Sequence, residues 1–203
     1  MVLVDFGNSS IDVKDNGALS KLPISEIERV LEYKKAYYIC VNSQIYGSIP
    51  SGWIDIKQYI DFDRYYSTMG IDRVIACEAI EDGVIIDAGS AITVDIKRDG
   101  LFCGGFISLG YKKSKEALAD LSDALDVDFN LEMPLDEAAF NTPDALTFGF
   151  FAPLVSYIKS LELPIYLTGG DSDKFKKFLP DATIVDDLIF RGMEKIIKES
   201  IRC

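Results

Sequence analysis

Two stretches of the chain, 82 residues apart, carry the same order of chemically useful residues. The first is Val2-Leu3-Val4-Asp5-Phe6-Gly7-Asn8-Ser9-Ser10, and the second is Val84-Ile85-Ile86-Asp87-Ala88-Gly89-Ser90-Ala91-Ile92-Thr93. In each, an apolar run leads into Asp-x-Gly, then small polar residues, then another β-prone run. A carboxylate at the end of a buried strand can hold a hard cation, which prefers oxygen ligands and keeps several waters. A glycine two residues later lets backbone N–H groups come close to a phosphate. Asn8, Ser9, Ser90 and Thr93 add further donors. Two such loops facing across a cleft can hold a metal–nucleotide phosphate chain from both sides. One copy alone is more simply a hairpin turn, because Asp, Gly and Asn favour turns for local reasons. The repetition is what points to phosphate. Asp95 alternates onto the strand face of Thr93, as a second acidic group or as a solvated strand carboxylate.

Three other segments could carry chemistry. In Gly70-Ile71-Asp72-Arg73, Asp72 falls in the first turn of an expected helix, where the helix dipole favours negative charge. A carboxylate there can take the proton of a substrate hydroxyl during phosphoryl transfer, and Arg73 can clamp a carboxylate or phosphate. The plainer reading is helix capping with a surface ion pair. Gly169-Gly170 follows the strand-like Ile165–Thr168 and precedes Asp171, a helix cap. That turn offers backbone for a nucleoside, or is a tight strand-to-helix connection. Gly104-Gly105 interrupts a strand pattern and suggests close backbone approach. The P-loop pattern is absent: Gly105 and Gly110 have its spacing, but Tyr111 stands where Lys is required.

Composition narrows the chemistry further. Among 203 residues the formal net charge is −12, which disfavours a nucleic-acid partner or an anionic membrane. There is no histidine, so Ser-His-Asp and Cys-His catalysis and His-ligated metals are excluded. Cys40, Cys77, Cys103 and Cys203 show no C-x-x-C spacing and read as free, mostly buried thiols of a reducing cytoplasm. The first residues lack a basic signal-peptide region. The longest apolar stretch, around Leu146–Ile158, is too short to span a bilayer and contains Pro153.

These loops need a scaffold, and the periodicity supplies one. Strands are expected at Val2–Phe6, Ser10–Lys14, Ala18–Leu22 and Ala36–Val41, and helices from Ser25, with Glu28 completing a capping box, and over Ile71–Ile80. The second half repeats three strands (Gly83–Asp87, Ala91–Lys97, Leu101–Ser108). Helix follows from about Lys112 and over Pro143–Leu161, with Pro143 in the first turn and Pro153 kinking the helix. The strand Ile165–Leu167, helix Asp173–Phe178, strand Thr183–Val185 and helix Leu188–Ser200 complete it. The pattern predicts two α/β halves related by duplication, residues 1–82 and 83–203.

Taken in order, Asp5-x-Gly7-Asn8-Ser9, Gly70-x-Asp72-Arg73, Asp87-x-Gly89-Ser90-Ala91-x-Thr93-x-Asp95, Gly104-Gly105-x-Ile107, Asn141-Thr142-x-x-Ala145 and Thr168-Gly169-Gly170-Asp171 resemble the type III pantothenate kinases, over nearly the whole chain. The resemblance implies an α/β fold of duplicated ribonuclease-H-like (actin-like ATPase) domains, each a mixed sheet with flanking helices. It implies a cytoplasmic homodimer that uses ATP, Mg²⁺ and a monovalent cation, K⁺ or NH₄⁺, to phosphorylate pantothenate in coenzyme A synthesis. It assigns Asp72 as catalytic base. Gly70, Asp72, Arg73, Thr142 and a tyrosine, Tyr66, become pantothenate contacts, with Thr142 reaching the neighbouring subunit's site. Asp5, Gly7, Asn8 and Ser9 become one phosphate loop; Gly89, Ser90 and Thr93 become the other, with Gly169 and Gly170 at the nucleoside. Asp5 and Asp87 become metal ligands, Asp87 for the monovalent cation. Another kinase or phosphatase of the superfamily, or a non-catalytic regulatory relative, is the alternative. The chain departs from the family pattern at Leu109, where Pro is usual, at Ser10, where a basic residue is common, and at Asp63, which holds the spacing of the substrate tyrosine beside Tyr65 and Tyr66.

Overall fold

A computed structural model describes residues 1–200. The chain folds as two units, Met1–Glu81 joined by the stretch that begins at Asp187, and Asp82–Asp186. In the first unit, β1 (Val2–Phe6), β2 (Ser10–Asp15) and β3 (Ala18–Pro23) form an antiparallel meander, followed by α1 (Ile27–Leu31), β4 (Tyr37–Cys40), β5 (Ile54–Asp55) and α2 (Ile71–Glu78). The sheet order is β3-β2-β1-β4-β5, with β4 parallel to both β1 and β5. The second unit has β6 (Gly83–Ala88), β7 (Ala91–Arg98), β8 (Leu101–Leu109), α3 (Tyr111–Leu121), α4 (Thr142–Ser160), β9 (Ile165–Thr168), α5 (Ser172–Phe178) and β10 (Thr183–Ile184). Its order, β8-β7-β6-β9-β10, repeats the first sheet strand for strand, with β9 parallel to β6 and β10. The duplication read in the two Asp-x-Gly segments is therefore a duplication of topology.

The last helix, α6 (Leu188–Ser200), belongs to the first unit. A division at residue 82 or 83 groups it with the second half, but its apolar stripe packs elsewhere. Phe190, Met193, Ile196 and Ile197 join Leu3, Ile39 and Ile75 in one buried cluster on one face of the first sheet. Gly192 permits this, because a Cβ there would lie 2.0 Å from the Ile75 carbonyl oxygen of α2. The opposite face, with Val4, Phe6, Ile11 and Val13, is covered by Val30 and Trp53. In the second unit, Val84, Ile86, Ile92 and Val94 pack on Phe151, Val155, Phe175 and Phe178 of the helices.

An ion-pair cluster also ties α6 to the meander. The Lys14 ammonium lies 3.3 Å from Asp187 and 2.8 Å from Glu194, and Arg191 lies 2.7 Å from Asp187. Burial works against both charges, but hydrogen bonds outweigh it, so Lys14 is raised above 10.5 and Asp187 lowered below 3.8. A raised Lys contributes stability that is complete below 10.5 and lost as pH rises through its folded value. A depressed Asp contributes stability present above 3.8 and lost as pH falls through its folded value. Lys14→Met is therefore expected to cost about 1–2 kcal/mol across neutral pH, and less once acid has protonated Asp187. Urea unfolding of both proteins at pH 7 and in acid checks this; an equal cost at both would sink it.

Several local expectations change. Ser25 lies in a 3₁₀ turn, Ile24–Glu26, and α1 starts after Glu26 with no side-chain cap, so the capping box does not form. Gly104 needs its glycine for backbone conformation rather than close approach: φ is +107° and a Cβ would meet nothing within 4 Å. It lies where the β7–β8 register shifts between Asp95 and Lys97, as at a bulge. Asp95 is only 1% exposed, as is Lys97 two residues on, so Asp95 is not a solvated strand carboxylate. Helix α4 keeps the expected span, with Pro153 inside it. Cys77 is buried, Cys40 partly buried and Cys103 exposed; Cys203 lies outside the described residues. Among the described residues, no helix is long and apolar enough to cross a membrane.

Candidate active site

The first Asp-x-Gly segment is the β1–β2 hairpin. Asp5 is 8% exposed and stands opposite Ile39 of β4 and Asp12 of β2. Side chains alternate along a strand, so Asp5 shares the sheet face of Leu3, the face that α2 and α6 cover. Asp12, directly across, accepts hydrogen bonds from Ser10 Oγ and Lys21 Nζ, each at 3.3 Å. Its place beside Asp5 was not readable before the register was known. Gly7 donates its N–H to the Ser10 carbonyl at 3.0 Å. Its own amide therefore closes the turn, and Asn8 and Ser9 form the exposed tip.

The second segment is the β6–β7 hairpin, one loop residue shorter by the strand bounds. Asp87 stands opposite Thr93 of β7 and Thr168 of β9. Residues directly across a ladder share a face, so one carboxylate and two hydroxyls converge there. Thr168 is the group that strand pairing adds to the set. Gly89 donates to the Ala91 carbonyl at 3.0 Å, again closing the turn, and Ser90 is exposed. Two glycine turns clasp this hairpin. Gly110 donates to the Ser90 carbonyl at 3.1 Å, and a Cβ on Gly110 would lie 2.2 Å from the Gly89 oxygen. The Asp171 N–H donates to the Ala88 carbonyl at 2.8 Å. Gly169, at φ +87°, lies so close that a Cβ would be 2.4 Å from Asp87 Oδ1. Gly170 is exposed, with nothing within 4 Å of a Cβ. Asp171 precedes α5 without capping it by a side-chain bond; its carboxylate pairs with Lys174 Nζ at 2.5 Å.

The Gly70–Arg73 segment is the start of α2, with Gly70 as its N-cap. The Asp72 carboxylate folds back over the helix start: Oδ1 accepts the Arg73 N–H at 2.9 Å, and a Cβ on Gly70 would lie 2.5 Å from it. Arg73 is buried, and its Nη1 donates to the Tyr66 hydroxyl at 2.5 Å, with the guanidinium 5.7 Å from the Tyr66 ring. Gly70 and Ile71 border an open cavity of about 710 Å³, in the range of small-ligand sites. Tyr65, Asp63, Tyr46, Asp55 and Lys57 also line it. The tyrosine of this run in the cavity wall is thus Tyr65, whereas Tyr66 packs on Arg73. The Tyr65 hydroxyl donates to Glu78 at 2.6 Å; burial and that bond push its phenol far above its ordinary value. Tyr46 donates to Asp55 at 2.7 Å, and that bond likewise raises the Tyr46 phenol. Burial pushes the Cys40 thiol up.

Thr142 lies in the second unit, exposed at the first position of α4. Asn141 caps that helix by accepting the Asp144 N–H at 3.0 Å.

A duplicated meander-plus-two-parallel-strands topology, with an acidic hairpin in each copy, defines the ribonuclease-H-like, actin-like ATPase class. The fold is shared with a putative 2-dehydro-3-deoxygalactonokinase from Sinorhizobium meliloti (TM-score 0.62, 10% identity, 98% of this chain and 96% of that one). Within that class the chain belongs to the type III pantothenate kinase family, whose model matches residues 30–162. A type III pantothenate kinase from Sulfurimonas denitrificans is 40% identical over the full length of both chains. A Campylobacter jejuni structure described as a conserved putative Baf family transcriptional activator superposes with TM-score 0.87, at 37% identity and 100% coverage of both chains.

Proposed function

We propose that this chain transfers the γ-phosphoryl group of ATP to the primary hydroxyl of pantothenate, giving 4′-phosphopantothenate and ADP, the first step of coenzyme A synthesis. The observation that carries the reading is the Asp72 carboxylate at the helix start that borders the cavity, in a chain of this family. Pantothenate lies in that cavity. Its hydroxyl oxygen bonds to the γ-phosphorus, the bond to the β–γ bridging oxygen breaks, and the hydroxyl proton passes to Asp72. Arg73, held by Tyr66, clamps the substrate. Thr142 acts at the site of a neighbouring subunit.

The hairpins hold the nucleotide: Asn8 and Ser9 at one loop, Ser90 and Thr93 at the other, with Gly169 and Gly170 against the nucleoside. The donors at both hairpins are oxygen atoms, which suits hard cations. Among the described residues, no three acidic or cysteine side chains cluster as a metal cage. Asp5 would hold Mg²⁺ at the first hairpin. Bound there, Mg²⁺ would offset charge on the β and γ phosphates. Asp87, Thr93 and Thr168 present a carboxylate and two hydroxyls, a set suited to K⁺ or NH₄⁺. The apolar side chains Leu101, Ile107 and Leu109, exposed on the edge strand β8, support a homodimer. The site of action is the cytoplasm.

An ATP-consumption assay over a panel of hydroxylated substrates, with and without K⁺, tests the reading. Turnover of pantothenate alone is expected. No turnover of any substrate would favour the regulatory role that the Campylobacter jejuni description suggests, although a net charge of −12 disfavours DNA.

Gly70 gives a finer test. Its replacement by Ala puts a methyl group 2.5 Å from Asp72 Oδ1, so the carboxylate must swing aside. Gly70→Ala should lower kcat roughly 10-fold or more while the melting temperature moves by only a few degrees. Unchanged kcat would show that this carboxylate position does not matter.

A further inference from the structure

Resting on the reading of the cavity as the pantothenate site, we infer that Glu78 is a positioning residue for the substrate: it anchors Tyr65 and so sets the cavity wall formed by residues 61–69. Glu78 is a buried carboxylate that the proposed chemistry leaves unused. It is the last residue of α2 and lies about two turns beyond the cavity residue Ile71, on the same side of the helix. Stability gives no reason for a carboxylate there. Burial and the negative end of the helix dipole both oppose its charge. An apolar side chain of similar size commonly serves a buried position as well as a paired charge does. What the carboxylate adds is direction: its bonds fix the groups they reach in one place.

Those groups belong to the cavity wall. The Tyr65 hydroxyl donates to Glu78 Oε1 at 2.6 Å, and Arg64 Nη1 donates to the same oxygen at 3.1 Å. Tyr65 is itself buried, and burial and this bond keep its phenol protonated, as a donor. The segment needs such an anchor. It holds the 3₁₀ turn Phe62–Arg64. Its backbone bonds, Tyr65 N–H to the Phe62 carbonyl and Met69 N–H to the Tyr66 carbonyl, both at 3.0 Å, stay within it. A loop without ladder bonds to a neighbouring strand opens at low cost. Yet this one supplies Phe62, Asp63, Tyr65 and Ser67 to the cavity. Two side chains of α2 pin it: Arg73 holds Tyr66 near the start of the helix, and Glu78 holds Tyr65 and Arg64 at its end. The helix that presents Asp72 thus also fixes part of the wall around the substrate.

The test is steady-state kinetics of the full chain with ATP and pantothenate, beside thermal melting. Glu78→Met, close in size and apolar, should raise KM for pantothenate roughly 10-fold, with kcat and KM for ATP within about twofold. Tyr65→Phe removes the same bond without altering α2 and should match it. The double variant should be no worse than either single one, because the same bond is lost in all three. Glu78→Gln keeps an acceptor for the hydroxyl and should stay within about threefold of the wild-type KM. An unchanged pantothenate KM in Glu78→Met, or a double variant whose effects multiply to roughly 100-fold, would overturn the anchor. So would a rise in both KM values with a matching fall in melting temperature, the mark of a merely structural role. Ser67→Trp, which fills the cavity from an exposed position, separates the two readings. If it raises the pantothenate KM and Glu78→Met does not, Glu78 loses its role and the cavity keeps its own. If Ser67→Trp has no effect, the cavity is not the substrate site and the proposal falls with it.

Discussion

Asp72→Asn is expected to cut turnover of pantothenate by roughly 10²- to 10⁴-fold while the fold and substrate binding persist. Asn keeps the size of the side chain and one acceptor oxygen, so the bond from the Arg73 N–H to Oδ1 at 2.9 Å can survive. What is lost is the ability to take a proton. Because that loss is felt in the transition state, kcat and kcat/KM should fall together, with the dissociation constant of pantothenate nearly unchanged. Rapid-quench single-turnover kinetics separates the chemical step from product release. A variant that kept near-normal single-turnover rates would remove Asp72 as the base. Asp72→Ala is the less informative substitution, because it also removes the acceptor of the Arg73 N–H at the start of α2.

Much of this site was legible in the residues, and the reasons differ by element. Asp-x-Gly between two apolar runs is a local pattern, and the hairpins it announced are present in both units. The place of Asp72 in a first helical turn was readable because Val74, Ile75 and Ala79 recur at helical spacing after it. What resisted reading is what depends on partners distant in sequence. Asp12 and Thr168 acquire meaning only from register, which places them opposite Asp5 and Asp87. Helix α6 was plain as a helix over Leu188–Ser200, yet no local signal says which sheet an amphipathic helix covers. The contact of Gly192 with Ile75 decides that. Strand β5 has two residues, too few for alternation to register. Tyr65 and Tyr66 are neighbours with similar chemistry. The backbone after the 3₁₀ turn Phe62–Arg64 puts Tyr65 in the cavity wall and Tyr66 on Arg73. Alternation left Asp95 open between a second acidic group on the Thr93 face and a solvated carboxylate, because periodicity cannot say whether that face is covered; its burial removes the second reading.

Gly169→Ala is expected to disable the nucleotide half of the site, and Gly170→Ala, one residue away, to leave it working. At Gly169, φ is +87°, a conformation that costs an Ala about 1–2 kcal/mol. The new methyl group would also lie 2.4 Å from Asp87 Oδ1 and 2.6 Å from the Ala88 carbonyl oxygen. Neither can yield cheaply. Ala88 is held in β6 and accepts the Asp171 N–H at 2.8 Å, while Asp87 faces Thr93 and Thr168. Relief of the clash must push the turn away from the hairpin, break the clasp at Ala88 and turn the Asp87 carboxylate from its place. The expected result is a loss of about 1–3 kcal/mol in stability and a fall of roughly 100-fold in kcat/KM for ATP, with KM for pantothenate little changed. At Gly170 the added methyl group meets nothing within 4 Å and φ is not in the left-handed range, so the same substitution should cost less than about 0.5 kcal/mol. Calorimetric titration with a non-hydrolysable ATP analogue, beside urea unfolding of both variants, measures the two effects separately. Equal behaviour of the two variants would mean that the close approach of Gly169 to Asp87 is incidental to nucleotide binding. A Gly169→Ala protein that bound nucleotide normally but lost its response to K⁺ would instead limit the role of this contact to the monovalent cation.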